Sequence, residues 1–169
     1  KLVLSSKKKI VNKIIKDNIL SIDNLEKGFV IIKVQYSNLN YKDFLMSRTN
    51  NTLIKNYPHT PGIDASGIIY HSFSKKFTKG EKVYVIAKPL GVETNGSFSQ
   101  FITVPDHWVE KLPKYFDSKE MMMIGTSGFT AVKALSKGIK KILTNKNKPV
   151  LVAGGTGNVG MVIINLLLN

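Results

Sequence analysis

Pro149-Val150-Leu151-Val152-Ala153-Gly154-Gly155-Thr156-Gly157-Asn158-Val159-Gly160 is the stretch on which the fold class turns. Four apolar residues after a proline predict a buried strand. A glycine-rich turn follows, and Met161 to Leu168 then reads as the start of an apolar helix. A strand, a tight glycine turn and a helix in that order are the context of a dinucleotide-binding fingerprint. Glycines permit the turn and let backbone approach a pyrophosphate, while the helix offers unpaired N–H groups and the positive end of its dipole. The spacing here is Gly154-x-x-Gly157-x-x-Gly160, which departs from G-x-G-x-x-G, so a strand-to-helix turn that binds nothing is the competing reading. The acidic residue that would grip an adenosine ribose belongs about 20 residues further on. That position lies past Asn169, so NAD and NADP are not distinguished by these residues.

Upstream of this unit the chain reads as strands. Residues 2–5 and 10–15 are short apolar runs around Lys7-Lys8-Lys9 and predict a hairpin. Gly28 to Tyr36 is rich in β-branched residues and predicts a third strand. A short helix is expected around Tyr41-Lys42-Asp43-Phe44-Leu45, and Pro58 and Pro61 keep the following segment extended. Further strands are expected at 67–70, 82–87 and 97–104. Asp117 and Glu120 have capping-box spacing before a helix that runs to about Lys137, with Gly125 and Gly128 marking a break or a close contact. Residues 140–148 are expected to be a polar connection. The pattern changes at Asp117, which places one domain at 1–117 and a connecting helix plus a strand–glycine loop–helix at 118–169. One strand and one short helix cannot bury a sheet, so the second domain is expected to be incomplete.

Composition narrows the classes. Among 169 residues, 25 are Lys or Arg and 11 are Asp or Glu, a formal net charge of +14. Such a balance invites a nucleic-acid reading. Arg48 is the only Arg, however, and phosphate clamping and base readout favour Arg. The Lys residues are scattered, with no interleaved aromatic stripe, and read as a solvated surface. With no Cys there is neither a disulfide framework nor a thiolate metal site. No apolar run is long enough to span a membrane, and the opening residues do not form a signal peptide. The expectation is a soluble cytoplasmic protein.

Several motifs then stand together: Tyr36-Ser37-Asn38-Leu39-Asn40-Tyr41-Lys42-Asp43, Tyr57-Pro58-x-x-Pro61-Gly62-Ile63-Asp64-x-x-Gly67, Phe77-x-x-Gly80-Glu81-x-Val83, and Ile124-Gly125-Thr126-Ser127-Gly128-Phe129-Thr130-Ala131, closed by the glycine turn. In this order they resemble the medium-chain dehydrogenase/reductase superfamily, and within it the acrylyl-CoA reductase and quinone oxidoreductase group. The resemblance covers nearly all of the chain but about the first half of a family member. It implies a β-rich, GroES-like barrel domain followed by the start of an α/β Rossmann domain, truncated here. It further implies NADP(H) as cofactor, reduction of the carbon–carbon double bond of an enoyl thioester, a small-molecule substrate of the CoA thioester kind, and a homodimer at full length, with neither nucleic acid nor membrane as partner.

The candidate site residues each carry two readings. Tyr41 is either a proton donor at the cleft or a half-buried aromatic. Asn40 and Asp43 either serve the reaction by orienting Tyr41 and substrate or cap the short helix. Thr126 and Thr130 either contact the cofactor or satisfy their hydroxyls on their own helix. Gly154, Gly155, Thr156, Gly157, Asn158, Val159 and Gly160 are the candidate cofactor cradle. Asp64 reads as a turn-holding residue and Met121-Met122-Met123 as core. No metal is expected. The positions that hold zinc ligands in the superfamily's alcohol dehydrogenases carry Asn40, Ile63 and Thr126, and His59, His71 and His107 are widely separated. Two departures bear on substrate preference: the segment Lys88 to Asn95 replaces a Trp- and Gly-rich one, and Ser97 follows Gly96 where the family usually has a second glycine. The competing function class is a Lys-rich nucleic-acid-binding or scaffold protein that kept the fold without catalysis.

Overall fold

The structure, a computed structural model, describes residues 1–4, 12–14, 26–48, 52–144 and 148–169. The chain divides into two compact units, Lys1–Met123 and Ile124–Asn169.

The first unit is built on an antiparallel five-stranded sheet. Its strands are β3 (Phe29–Ser37), β4 (Ala65–Ser72), β5 (Lys82–Val85), β6 (Phe101–Pro105) and β7 (Glu110–Lys111), in the order β6-β3-β4-β5-β7. A separate antiparallel pair joins β1 (Leu2–Leu4) to β2 (Asn12–Ile14). The expected hairpin is therefore present at its paired residues, while its connecting residues lie outside those described. The strands of the five-stranded sheet bury their apolar residues, alternately in β5 and β6 and three in succession, Val30, Ile31 and Ile32, in β3. Val30 and Ile32 of β3, Ala65 and Ile69 of β4, Val83 and Val85 of β5, and Ile102 and Val104 of β6 make one core with Phe77, Leu90 and Val109. A second cluster, Leu4, Met46, Ile54 and Ile63, lies under the helix α1 (Tyr41–Met46). Backbone bonds between Leu4 and His59 in both directions, 2.7 and 3.0 Å, tie β1 to this cluster.

Several expectations need correction. The strand expected at 97–104 begins at Phe101, because Ser97 and Phe98 give their N–H groups to Gly62 and Pro61 instead of to a ladder. The two-residue strand β7 and a 3₁₀ turn at Asp106–Trp108 were not expected, since both are short and polar. The helix α2 spans Ser118–Thr144, longer than expected, and takes in part of the polar connection. Met121 and Met122 are buried, but Met123 is 76% exposed and is not core.

The capping box forms as expected: the Asp117 N–H donates to Glu120 at 2.8 Å, and the Glu120 N–H to Asp117 at 2.8 Å. Gly125 is the break, at φ 49° and ψ −159°, a conformation that a side chain would resist. Gly128 is a close contact, with its missing side chain filled by Ile124.

In the second unit the helix α3 (Asn158–Leu168) follows the glycine turn. Residues 150–153 do not form a ladder strand, and Leu151 is 93% exposed. A strand of a parallel sheet exists only against its neighbours, and among the described residues nothing pairs with this one. Among the described residues no helix is long and apolar enough to cross a membrane.

Candidate functional site

In the first unit, β3 ends at Ser37 and three residues later Asn40 opens α1 as its N-cap in extended conformation. Asp43 follows at the third helical position. Its carboxylate is 3% exposed and accepts an N–H at each oxygen: Oδ2 from Asn40 at 2.9 Å and Oδ1 from Gly62 at 3.0 Å. The side chain of Asn40 is also buried and donates Nδ2–H to Oδ2 of Asp64 at 2.9 Å. Two buried carboxylates are thus bridged by one asparagine. Burial pushes the Asp43 carboxyl above the usual carboxylate range, the N–H groups of Asn40 and Gly62 pull it back, and the neighbouring charge of Asp64 pushes it up again; burial prevails.

The same residues are seated on the loop that carries Asn95, Gly96, Ser97 and Phe98. Gly96 N–H donates to Thr60 O at 2.7 Å, Ser97 N–H to Gly62 O at 2.9 Å, and Phe98 N–H to Pro61 O at 3.1 Å. Asn95 Oδ1 accepts the N–H of Thr60 at 3.0 Å. The hydroxyl of Ser37 donates to Asp64 O at 2.8 Å and lies 2.6 Å from that of Ser97. Ser37 has a single hydroxyl proton, so Ser97 is the donor within that pair. Glycine is required at 62, 91 and 96 because backbone meets backbone there, with no room for a side chain.

Tyr41 stands apart from this packing. It is the first residue of α1, 72% exposed, with its ring tilted against Phe44 at 6.0 Å between centroids. Of the three residues expected to serve the reaction, Asn40 and Asp43 are buried in the network and Tyr41 alone presents its polar group to solution. Ser37, Gly62 and Ser97 belong to the same network and were missed as site residues. Their sequence signals were Gly62 in the run Pro61-Gly62-Ile63-Asp64, since an isolated glycine marks a close backbone approach, and Ser97 itself, noted only for its bearing on substrate preference.

The histidines are dispersed. His59 is buried with Nε2 2.8 Å from Gly91 O, His71 packs against Phe73, and His107 against Trp108. Among the described residues no three His, Cys, Asp or Glu side chains gather as a metal site would need.

In the second unit the turn before α3 is made by Gly154, at φ 73°, whose carbonyl accepts the Gly157 N–H at 3.0 Å. Gly157 is the N-cap, and Met161 N–H makes the first helical bond, to Gly157 O at 2.8 Å. The N–H groups of Asn158, Val159 and Gly160 consequently precede any i−4 carbonyl partner. Gly160 packs onto the turn: a Cβ there would lie 2.8 Å from Gly154 C and 2.8 Å from Gly155 Cα. Gly155 and Thr156 complete the turn, with Thr156 exposed. Such an N-terminus, whose first N–H groups lack i−4 partners and whose N-cap is a glycine with no side-chain cap, is of the kind that holds a pyrophosphate. Thr130 donates its hydroxyl to Thr126 O at 2.7 Å, the helix-backbone alternative, while Thr126 itself is half-buried.

Residues 26–114 match the family described as alcohol dehydrogenase GroES-like domain. The acrylyl-CoA reductase AcuI of Ruegeria pomeroyi is 37% identical over 148 residues, covering 88% of this chain and 45% of that protein. The YhfP protein of Bacillus subtilis, provisionally named a quinone oxidoreductase, is 36% identical over 148 residues, covering 88% of this chain and 45% of that protein. Its crystal structure with bound NAD superposes with a TM-score of 0.82, covering 98% of this chain and 50% of that one. The crystal structure of Escherichia coli K-12 YhdH with bound NADPH gives a TM-score of 0.85 at 28% identity, again covering 98% and 50%. The chain spans about half the length of these relatives.

Proposed function

The chain belongs to the alcohol dehydrogenase GroES-like domain family of medium-chain oxidoreductases, and from that premise we propose that the protein carrying it is a zinc-independent, NADP(H)-dependent reductase of enoyl thioesters such as acrylyl-CoA. The observation that carries this reading is the glycine turn at the start of α3, where the N-cap Gly157 makes no side-chain cap and Gly160 lets the first helical turn pack directly onto the backbone of Gly154 and Gly155. Residues 118–169 are read as the connecting helix and the opening of a Rossmann domain, after a substrate domain at 1–117. Likeness to a protein named for acrylyl-CoA reduction supports the substrate class, and likeness to another crystallised with NADPH supports the cofactor.

When bound, the nicotinamide cofactor supplies the hydride, which adds to the β-carbon of the thioester. Gly154, Gly155, Thr156, Gly157, Asn158, Val159 and Gly160 would hold its pyrophosphate through backbone N–H groups and the helix dipole. Thr126 and Thr130 are the candidates for its nicotinamide side. Once the β-carbon is reduced, an enolate remains and requires a proton at the α-carbon. The exposed Tyr41 Oη, on the first turn of α1, would deliver it, and the phenolate would then regain its proton from water. Asn40 and Asp43 would act through the backbone of the first turn of α1, which carries Tyr41. The substrate domain thus orients the acceptor and supplies the proton, and the glycine turn holds the reductant.

A quinone or enone reductase is the second reading, favoured by the likeness to YhfP. Initial rates of NADPH and NADH oxidation by the full-length protein, with acrylyl-CoA and a simple quinone as parallel acceptors, decide between them. Turnover with NADPH and acrylyl-CoA that falls in Tyr41→Phe supports the proposal. Turnover with the quinone alone moves the substrate class, and no turnover together with no cofactor binding refutes both. Light scattering of the same protein tests the proposed homodimer.

A further inference from the structure

Six hydrogen bonds of the first unit close into a ring. Ser97 N–H reaches Gly62 O, Gly62 N–H reaches Asp43 Oδ1, and Asp43 Oδ2 accepts from Asn40 N–H. Asn40 Nδ2–H then reaches Asp64 Oδ2, Asp64 O accepts from the Ser37 hydroxyl, and that hydroxyl accepts from Ser97. The ring joins four separate segments: the end of β3, the first turn of α1, the Pro61–Asp64 turn, and the loop ending at Ser97. We propose that this ring is a positioning device for Tyr41, in which Asp43 and Ser97 are positioning residues that set where the first turn of α1 holds the phenol. The proposal rests on the reading of Tyr41 as the proton donor.

Three observations carry it. First, α1 has six residues, too few to persist as a helix on its own, so its place is set by what grips it. Met46 holds its end in the apolar cluster and Asp43 holds its start. Second, both Asp43 oxygens are engaged by N–H groups and the residue is buried, as is Asn40. Neither reaches a substrate, yet each is covalently one or two residues from Tyr41. Third, Ser97 is 2% exposed, and its hydroxyl completes the ring at a position where the family pattern has glycine. The ring therefore contains a side-chain hydroxyl that a glycine at 97 would not supply.

Asp43→Asn tests the clasp directly. An amide has one acceptor oxygen, and in either orientation its NH₂ confronts one of the two N–H donors. Ser97→Ala opens the ring at the other end, where Ser37 retains its bond to Asp64. Both substitutions are made in the full-length protein, alone and combined with Tyr41→Phe, and kcat is measured with the acceptor that turns over. Asp43→Asn is expected to lower kcat about tenfold, with the KM for NADPH unchanged, and to lower it no more than about twofold once Tyr41 is Phe. Ser97→Ala is expected to act in the same sense, about threefold, and to lose its effect in the Phe background. Equal losses in both backgrounds overturn the positioning role and leave Asp43 merely structural. Wild-type kcat in Tyr41→Phe overturns this inference together with the donor reading, whereas a loss in Tyr41→Phe with additive Asp43→Asn overturns the inference alone. Should Asp43→Asn not fold, the Ser97 cycle decides. A readout without turnover accompanies it: 3-fluorotyrosine placed at position 41 gives a ¹⁹F line that moves toward the free amino acid in Ser97→Ala. An unmoved line overturns the proposal whatever the kinetics.

Discussion

Gly96→Ala probes the seat on which the whole first-unit network rests. A Cβ at 96 would lie 2.5 Å from Pro61 O and 2.6 Å from Pro61 C, atoms that belong to backbone and cannot rotate away. Moving from 2.5 Å to the 3.4 Å of an ordinary contact takes about 0.9 Å. That displacement stretches the Gly96 N–H bond to Thr60, now 2.7 Å, past hydrogen-bonding range, and strains the neighbouring Ser97 to Gly62 bond. Two backbone bonds at about 1 kcal/mol each, with at least about 1 kcal/mol of overpacking, give a loss of about 3 kcal/mol. Gly80→Ala is the control: its Cβ would enter open space, and the φ of 92° leaves backbone strain as the sole cost, about 1 kcal/mol. Urea unfolding followed by the fluorescence of Trp108, which packs against the sheet core, reads both. With an m-value of about 2 kcal/mol/M, the midpoint falls by about 1.5 M for Gly96→Ala and by about 0.5 M for Gly80→Ala. A Gly96→Ala midpoint no lower than that of Gly80→Ala would refute the claim that backbone contact, and not backbone conformation, demands glycine at 96.

Three more outcomes are expected. Asp43 binds its proton more tightly in the folded protein, so its contribution to stability is present at low pH and lost as pH rises through its raised value; Glu81, held down first by its bond to Lys111, acts with the opposite sign. Asp43→Asn should therefore lose stability more steeply than wild type as pH falls from 7 toward 4, and a thermal-melt series with equal or shallower slope contradicts this. Gly160→Ala drives a side chain into Gly154 and Gly155, an overpacking of about 1–3 kcal/mol at the turn; calorimetry should show weakened NADPH binding, and unchanged affinity counts against the cradle. Ile32→Ala empties a fully buried site between β4 and β6 and should cost about 2–5 kcal/mol in the same urea assay, with a loss under 1 kcal/mol inconsistent with the core described.

What the sequence disclosed depended on how local the cause was. The β-branched run of β3, the reciprocal bonds of Asp117 and Glu120, and the Gly125 break each arise from residues within a few positions, and each was legible. The late start of β6 was not, because Ser97 and Phe98 answer to carbonyls some 35 residues earlier in the chain. Residues 150–153 have a strand's composition, but a ladder needs a partner strand, which composition does not supply. At the candidate site Asn40, Tyr41 and Asp43 could be singled out from one segment. That two of them are buried and one exposed follows from Gly62 and Asp64, whose approach to α1 no spacing rule encodes.

The ring also has a kinetic meaning. Its amide protons at Asn40, Gly62 and Ser97 are each held by an acceptor that another member keeps in place. None opens to solvent without loosening the next, so segments far apart along the chain belong to one cooperative opening. In deuterium these three amides are expected to show one opening free energy, set by the stability of the closed circuit and not by the local exposure of each, once each rate is divided by its own intrinsic exchange rate.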